Sequence, residues 1–141
     1  MKKYGNVDIR RPRTEDIKEL NHFFRTVITD TFFKEGIGDK LKDIEDEIVS
    51  KKTYLESDFV SDGKKRYFLI ALDRDKIIGS IEYGPASELI SNCTHNALKD
   101  LNEVGTVFVH PDFQSKGVGN LLLNKMYLTL QSKGEKKYEN D

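Results

Sequence analysis

The sequence has only one cysteine, Cys93, in 141 residues. A lone thiol cannot close an internal disulfide, so no covalent staple holds the fold, and such a chain suits a reducing cytoplasm. No sign of charge is in excess either. Lys and Arg number 23 against 24 Asp and Glu, for a formal net charge of -1. The two signs are interleaved, so the basic stripe of a protein that works on nucleic acid or on an anionic membrane is missing, and neither partner is expected. Long apolar runs are absent too: the longest reach a few residues, far short of the roughly 20 needed to cross a bilayer. The opening Met1-Lys2-Lys3-Tyr4-Gly5-Asn6 has no apolar segment behind its basic pair and does not read as a secretory leader. What is present, 37% hydrophobic and 33% charged residues, fits a soluble globular chain. Its length allows one sizeable core, so residues 1–141 are read as a single domain.

The periodicity changes along the chain. Val7-Asp8-Ile9-Arg10-Arg11-Pro12 alternates like a short strand that ends at the proline. Thr14-Glu15-Asp16-Ile17 reads as a helix start with Thr14 as cap, and Ile17, Leu20, Phe24, Val27 and Ile28 fall on one helical face. Gly36 and Gly38 break that helix. A second is expected from Asp39, with Leu41, Ile44, Ile48, Leu55 and Phe59 on its apolar side, closed by Ser61-Asp62-Gly63. Tyr67–Leu72 and Lys76–Tyr83 then form extended runs around the turn Asp73-Arg74-Asp75, a hairpin pattern. Pro85 to Asp100 is polar and irregular. Val104 to Val109 is β-rich and stops at His110-Pro111. Gly117 to Lys133 is helical, with Leu121, Leu122, Met126 and Leu130, and Gly134 is the expected stop before a charged tail. The order β-α-α-β-β-β-α predicts an α/β fold with a mixed sheet flanked by helices.

The junction between the last strand and the last helix carries the chemistry. Gln114-Ser115-Lys116-Gly117-Val118-Gly119-Asn120 lies where a strand passes through a short loop into a helix. Glycines there leave the backbone uncovered at the first helical turn, where free N–H groups and the helix dipole attract an anion. Gln114 adds a side-chain donor and Lys116 a positive charge. Two glycines also make an ordinary turn, so the context decides. A dinucleotide fingerprint needs a third glycine at position 122, which is Leu. The phosphate loop of nucleotide hydrolases needs Gly-Lys-Ser/Thr, which is also absent.

Gln114-Ser115-Lys116-Gly117-Val118-Gly119 resembles the Q/R-x-x-G-x-G/A signature of the GNAT acetyltransferase superfamily. It stands at the family's position, after the fourth strand and opening the third helix. The resemblance implies acetyl-CoA as co-substrate, with its pantetheine arm along Val107, Phe108 and Val109 and its pyrophosphate on the N–H groups from Ser115 to Asn120. It also implies thioester polarisation by a strand N–H, that of Val109. The activity implied is transfer of an acetyl group to a primary amine, a small molecule or a peptide, by direct attack in a ternary complex. Glu103 stands eleven residues before Gln114, where histone-type members carry a catalytic glutamate. Glu82, on the neighbouring strand, is the second candidate base. Each carboxylate has a plain alternative: a solvated edge residue for Glu103, an outward-facing strand residue for Glu82.

Other polar residues point less far. His110 before Pro111 suits the shaping of a strand end, His22 and His95 stand alone, and no metal is expected. Cys93 beside Thr94-His95 reads as a nucleophile only if adjacent residues face each other, which they seldom do. Phe24, Phe32 and Phe33 wall a pocket or fill the core. Glu45, Asp46 and Glu47 draw a cationic amine or form a solvated face. The sequence also departs from the family: after the third helix the usual fifth strand, fourth helix and their tyrosine have no counterpart, and Tyr138 takes no role by alignment. A shortened chain, a second copy that completes the sheet as a homodimer, or a minimal domain all account for this. The functional alternative to the enzyme is a non-catalytic acyl-CoA-binding sensor or truncated pseudoenzyme. A plain protein-interaction domain would leave the glycine loop unexplained.

Overall fold

The computed structural model describes residues 7–85 and 102–139. Its sheet is organised around the hairpin of β2 (Tyr67–Asp73) and β3 (Lys76–Pro85). Asp73 pairs with Lys76, and the two turn residues, Arg74 and Asp75, have φ of 53° and 70°. Left-handed backbone at both positions matches the right-handed twist of the strands it joins, which is why a two-residue loop suffices. β1 (Val7–Arg10) adds on one side, with Ile9 opposite Ala71, and β4 (Asn102–Val109) on the other, with Val107 opposite Ile81. The sheet order is β1-β2-β3-β4 and all three pairings are antiparallel. The mixed character expected of the sheet therefore does not arise among the described strands. A parallel pair needs a crossover to a further strand, and the described residues end within the helix that follows β4.

Two helices, α1 (Ile17–Lys34) and α2 (Leu41–Ser61), cover one face, and α3 (Val118–Glu139) covers the other. Because both faces are covered, β2 is apolar at nearly every position rather than at alternate ones. Phe68, Ile70 and Leu72 pack with Leu20, Phe24, Ile28, Ile44, Ile48 and Leu55 of the helix pair. Leu69 and Ala71 turn the other way, and with Ile78, Ile81 and Tyr83 they meet Val118, Leu122 and Met126 of α3. Two irregularities interrupt the ladder. Ala71 pairs with Gly79 but Leu72 with Ile77, so β3 carries one extra residue there. Ile81 pairs with Val107 but Tyr83 with Val104, so β4 carries one extra residue opposite Glu82. Such bulges bend a strand and break local pairing.

Several expectations need correction. Thr14 does not cap α1; it opens a 3-10 turn over Thr14–Asp16 whose shape is set by Asp16. The Asp16 carboxylate accepts the Arg13 N–H at 2.7 Å and holds the Arg10 guanidinium at 2.9 and 3.2 Å. Leu41 and Ile17 lie at helix starts and stay exposed rather than joining the core. Gly134 does not stop α3, which continues to Glu139 and takes in most of the expected tail. A glycine costs a helix about 1 kcal/mol, which a long helix tolerates. The end of α2 is as expected: Asp62 and Gly63 have φ of 55° and 79°, and the Gly63 N–H returns to the Asp58 carbonyl at 2.9 Å.

Asp58 ties three elements together. Its carboxylate accepts Arg11 Nη1 and Nη2 at 2.6 and 2.8 Å, and the Phe68 N–H at 2.6 Å, while 1% exposed. The chain just after β1, the end of α2 and the start of β2 are thereby fixed to one buried group, with the Arg11 guanidinium stacked 4.2 Å from the Tyr67 ring centre.

Asp16 makes a pH prediction. The hydrogen bond from Arg10, outweighing the opposing effect of burial, holds its carboxyl below the ordinary value. A depressed folded-state pKa adds stability that is fully present above the unfolded value near 4 and is lost as pH falls through the folded one. Asp16→Asn is therefore expected to lower unfolding stability by about 2 kcal/mol at pH 7. The gap between variant and parent should close below about pH 4. Urea titrations of both proteins at pH 7 and pH 3 measure this, and a gap of constant size would refute the assignment.

Candidate functional site

The site is built where β4 leaves the sheet. His110 N–H donates to the Ile78 carbonyl at 2.8 Å, which makes that residue pair a hydrogen-bonded one. In an antiparallel ladder the hydrogen-bonded pairs alternate with the others. Val109, opposite Gly79, and Val107, opposite Ile81, thus turn their backbone N–H and C=O away from β3, toward the side of β4 that no described strand occupies. His110 then ends the strand as its sequence position suggests: its Nδ1 accepts the Asp112 N–H at 3.1 Å, and its ring meets Phe113 edge-on.

A 3-10 turn, Pro111–Phe113, leads into the loop. Gln114 is extended, Ser115 has φ of 65° and Gly117 φ of 92°, and α3 begins at Val118. The Gly117 carbonyl takes the first helical bond, from Leu121 N–H at 3.1 Å. The N–H groups of Val118, Gly119 and Asn120 have no intrahelical acceptor to meet and point out of the helix end. They border a cavity of about 240 Å³ walled by Val109, Phe113, Gln114, Ser115 and the residues Gly117–Asn120. Of the expected cofactor residues, Val109, Gln114, Ser115, Gly117, Val118, Gly119 and Asn120 meet around this cavity. Lys116 is exposed in the same loop. Val107 packs on the α3 face, whereas the Phe108 ring turns to the opposite face among the residues of α1 and α2.

Two further glycines differ in what they allow. A Cβ at Gly79 would meet Leu122 Cδ1 at 2.9 Å, Val118 Cγ1 at 3.2 Å and the Phe108 carbonyl at 3.2 Å, so α3 rests directly on the β3 backbone. A Cβ at Gly119 would meet only Val109 and Val107 methyls, at 3.7 and 3.9 Å, ordinary contact.

Gln114 is placed differently from its sequence reading. Its amide Nε2 donates to the Val109 carbonyl at 3.1 Å, and its Oε1 accepts Lys34 Nζ at 2.8 Å. The side chain therefore buttresses the loop instead of facing an anion. Lys34, held also by Asp30 at 3.1 Å, brings a second cation to the loop from the far end of α1. Nothing in the sequence links residues so far apart.

The carboxylates divide sharply. Glu82 does not face outward: it is 2% exposed and forms an ion pair with Lys51, itself 5% exposed and carrying no local sequence signal of its own. The Lys51 ammonium lies 5.5 Å from the ring centres of both Tyr54 and Phe108. Only one Glu82 oxygen meets Lys51; the other, Oε1, is buried without a hydrogen-bond partner. Glu103 pairs through its backbone with Gly84 on β3. Glu45 is engaged by Arg25 of α1, and Asp46 by Lys42 one turn away, so two of the three acids in that run are held in surface ion pairs. Phe24 lies in the core, Phe32 at its margin, and Phe33 is exposed. Cys93 and His95 lie outside the described residues. Among the described residues no three His, Cys, Asp or Glu side chains are grouped to hold a metal, and no helix is long and apolar enough to cross a membrane.

The family model described as the acetyltransferase (GNAT) domain matches residues 64–140, more than half of the chain. The chain belongs to the GNAT acetyltransferase family. Solved structures agree in fold. The PaiA N-acetyltransferase of Thermoplasma acidophilum, in complex with coenzyme A, is similar at TM-score 0.69 and 21% identity, over 91% of this chain and 74% of that one. A GNAT family acetyltransferase of Brucella melitensis, in complex with acetyl-CoA, gives TM-score 0.61 and 20% identity over 91% and 70%. An acetyltransferase of the GNAT family from Streptococcus pneumoniae gives 0.63 and 21% over 91% and 69%. No curated protein sequence matches the chain.

The two glycines of this GNAT chain are expected to behave oppositely. Gly79→Ala forces a Cβ against a backbone carbonyl and two packed side chains, for a loss of about 1–3 kcal/mol. Gly119→Ala has room, and in the first turn of a helix it is expected to be neutral or to stabilise by up to about 1 kcal/mol. Thermal melts of the two variants decide this; equal losses would mean that α3 does not sit on β3 as described.

Proposed function

We infer that residues 1–141 act as one GNAT domain that transfers an acetyl group from acetyl-CoA to a primary amine by direct attack in a ternary complex. The observation that carries this is the open helix end at Gly117, with three outward N–H groups at the mouth of a cavity that begins where β4 ends. Such an end binds phosphate through its donors and its dipole. Lys116 in the loop and Lys34 beside it supply positive charge. A pyrophosphate therefore fits these residues, and the outward backbone of Val107 and Val109 suits an arm laid along β4 in the manner of an added strand.

On this reading the chain contributes three things. The N–H groups of Val118, Gly119 and Asn120 hold the phosphates. The Val109 N–H, turned to the open side of β4, donates to the thioester carbonyl oxygen, where negative charge develops. Glu103, through a water molecule, receives the proton that an ammonium acceptor must lose before it attacks. Holding both reactants in line supplies much of the rest. The acceptor is an amine of a small molecule or peptide, and a cytoplasmic location accords with the single thiol.

Calorimetry of acetyl-CoA binding to the chain and to Gly117→Glu tests the site. The parent is expected to bind, and the variant, with bulk and negative charge at the helix end, to lose at least about tenfold in affinity, or 1.4 kcal/mol. Equal binding by both, or none by the parent, removes the basis of the reading.

A second copy of the chain is proposed to complete the sheet beyond the part of β4 that the arm occupies and to cover the flanks of α3. Leu121, Leu123, Tyr127 and Leu128 of that helix are exposed, although Val118, Leu122 and Met126 already bury its inner face. A helix apolar on so many sides is usually covered. Light scattering at micromolar concentration is expected to give the mass of a dimer, and a stable monomer would argue against it.

A further inference from the structure

Three acidic side chains are buried among the described residues: Asp16, Asp58 and Glu82. Two of them are fully satisfied. Both Asp58 oxygens accept from Arg11, and one also takes the Phe68 N–H. Both Asp16 oxygens accept from Arg10, and one also takes the Arg13 N–H. Glu82 alone leaves an oxygen bare. Lys51 meets one side of its carboxylate, and Oε1 stays buried with no donor. Such an orphan costs about 1–3 kcal/mol or more in a folded protein, so it calls for an explanation beyond stability.

Position supplies one. Glu82 is the β3 residue that the β4 register skips: its neighbours Ile81 and Tyr83 pair with Val107 and Val104, leaving the bulge opposite Glu82. A bulge leaves ladder groups unpaired, so an unpaired oxygen and an interrupted ladder coincide. The spot lies on the face of the sheet covered by α1 and α2, since Glu82 stands opposite Phe68 in the register and Lys51 of α2 reaches it. The cofactor cavity lies at the start of α3, the helix on the other face. β4 therefore separates the two, with Phe108 toward Lys51 and Val107 and Val109 toward α3.

We propose that Glu82 positions the acceptor amine, its Oε1 taking an N–H of that amine directly or through one buried water. This rests on the reading that β4 carries the thioester. Lys51 then has a definite task. It balances the buried carboxylate and, by engaging one oxygen, turns the other toward the incoming nitrogen. An amine N–H is what a bare carboxylate oxygen accepts, and the same bond gains strength as the nitrogen becomes positive during attack on the carbonyl. The amine proton ends on the departing thiolate or on solvent; Glu82 need not keep it.

The test uses the whole chain, acetyl-CoA and n-propylamine as probe, following formation of N-propylacetamide. Glu82→Gln is expected to bind acetyl-CoA within about threefold of the parent and to lose about 100-fold in kcat. Glu82→Asp, which keeps the carboxylate, is expected to recover part of that loss. A second variant guards against misfolding: Lys51→Met with Glu82→Leu replaces the pair by apolar groups, a change that is often neutral or stabilising. It is expected to fold and bind acetyl-CoA, yet to share the defect in kcat. Parental turnover in either the Gln variant or the double variant would show the pair to be structural and overturn the proposal. So would a parent that binds acetyl-CoA but does not accelerate the reaction with propylamine. A parent that fails to bind acetyl-CoA at all overturns the cofactor reading instead, and this one falls with it.

Discussion

The close seat of α3 on β3 is the contact from which the rest of the site follows. At Gly79 the strand offers no side chain, and Val118 and Leu122 occupy the space a Cβ would take. The helix is thereby drawn down onto the sheet at its first turn, not further along. Its N-terminus must then come to rest beside the end of β4, because only eight residues separate Val109 from Val118. The extra residue in β3 contributes as well. It lets Ile78 and Gly79, adjacent in the chain, both serve the α3 face, one with a side chain and one with the lack of it. A uniform ladder would have sent one of them to the other side.

The loop that joins β4 to α3 is held in shape by its own atoms, which leaves its donors free. His110 and Gln114 both spend their polar groups on neighbouring backbone, at Asp112 N–H and the Val109 carbonyl. Ser115 and Gly117 adopt left-handed backbone to turn the chain into the helix. The result is an open helix end whose shape is set by the loop itself, which is what the proposed phosphate site requires. Lys34 adds a restraint from outside, tying the end of α1 to Gln114 and so linking the helical layer of one face to the loop that serves the other. That link is exposed, and exposed ion pairs and hydrogen bonds contribute little to stability. Its effect is on placement: it fixes which way the Gln114 amide points.

The site's legibility in the sequence tracks how local each part is. The glycine loop occupies contiguous residues, so strand, His-Pro break, glycines and helix could be read in order. The element order and the hairpin were legible for the same reason, since each rests on a run with one periodicity. Glu82 was not. Its strand reads Ile77-Ile78-Gly79-Ser80-Ile81-Glu82, and simple alternation puts Glu82 on the face opposite Ile81 without telling whether that face is wet. Burial was decided by α2, whose Lys51 sits 31 residues away and on its own looks like any solvated helix lysine. Asp58 and Lys34 escaped notice likewise, their partners lying 47 and 80 positions distant. Gly134 misled in the other direction: a local stop signal was outweighed by the rest of a long helix.

These distances also bear on the proposed chemistry. Among the described strands, β4 has the cavity beside Gly117 at its end, a bulge in its middle and an outer side on which no described strand lies. The alternation fixed by the His110–Ile78 bond aims the Val107 and Val109 backbone at that side, and the Gln114 bond to the Val109 carbonyl shows that a donor already reaches it from there. With that carbonyl engaged, Val109 has only its N–H left to offer. The donor is thus single, and its direction is set by the His110–Ile78 bond. A group polarised by it would lie within a few residues of the bulge, since Val104 to Val107 is one short step along the strand. In the proposed function the thioester and the acceptor amine would meet at that step, one from each face of β4, a strand of eight residues.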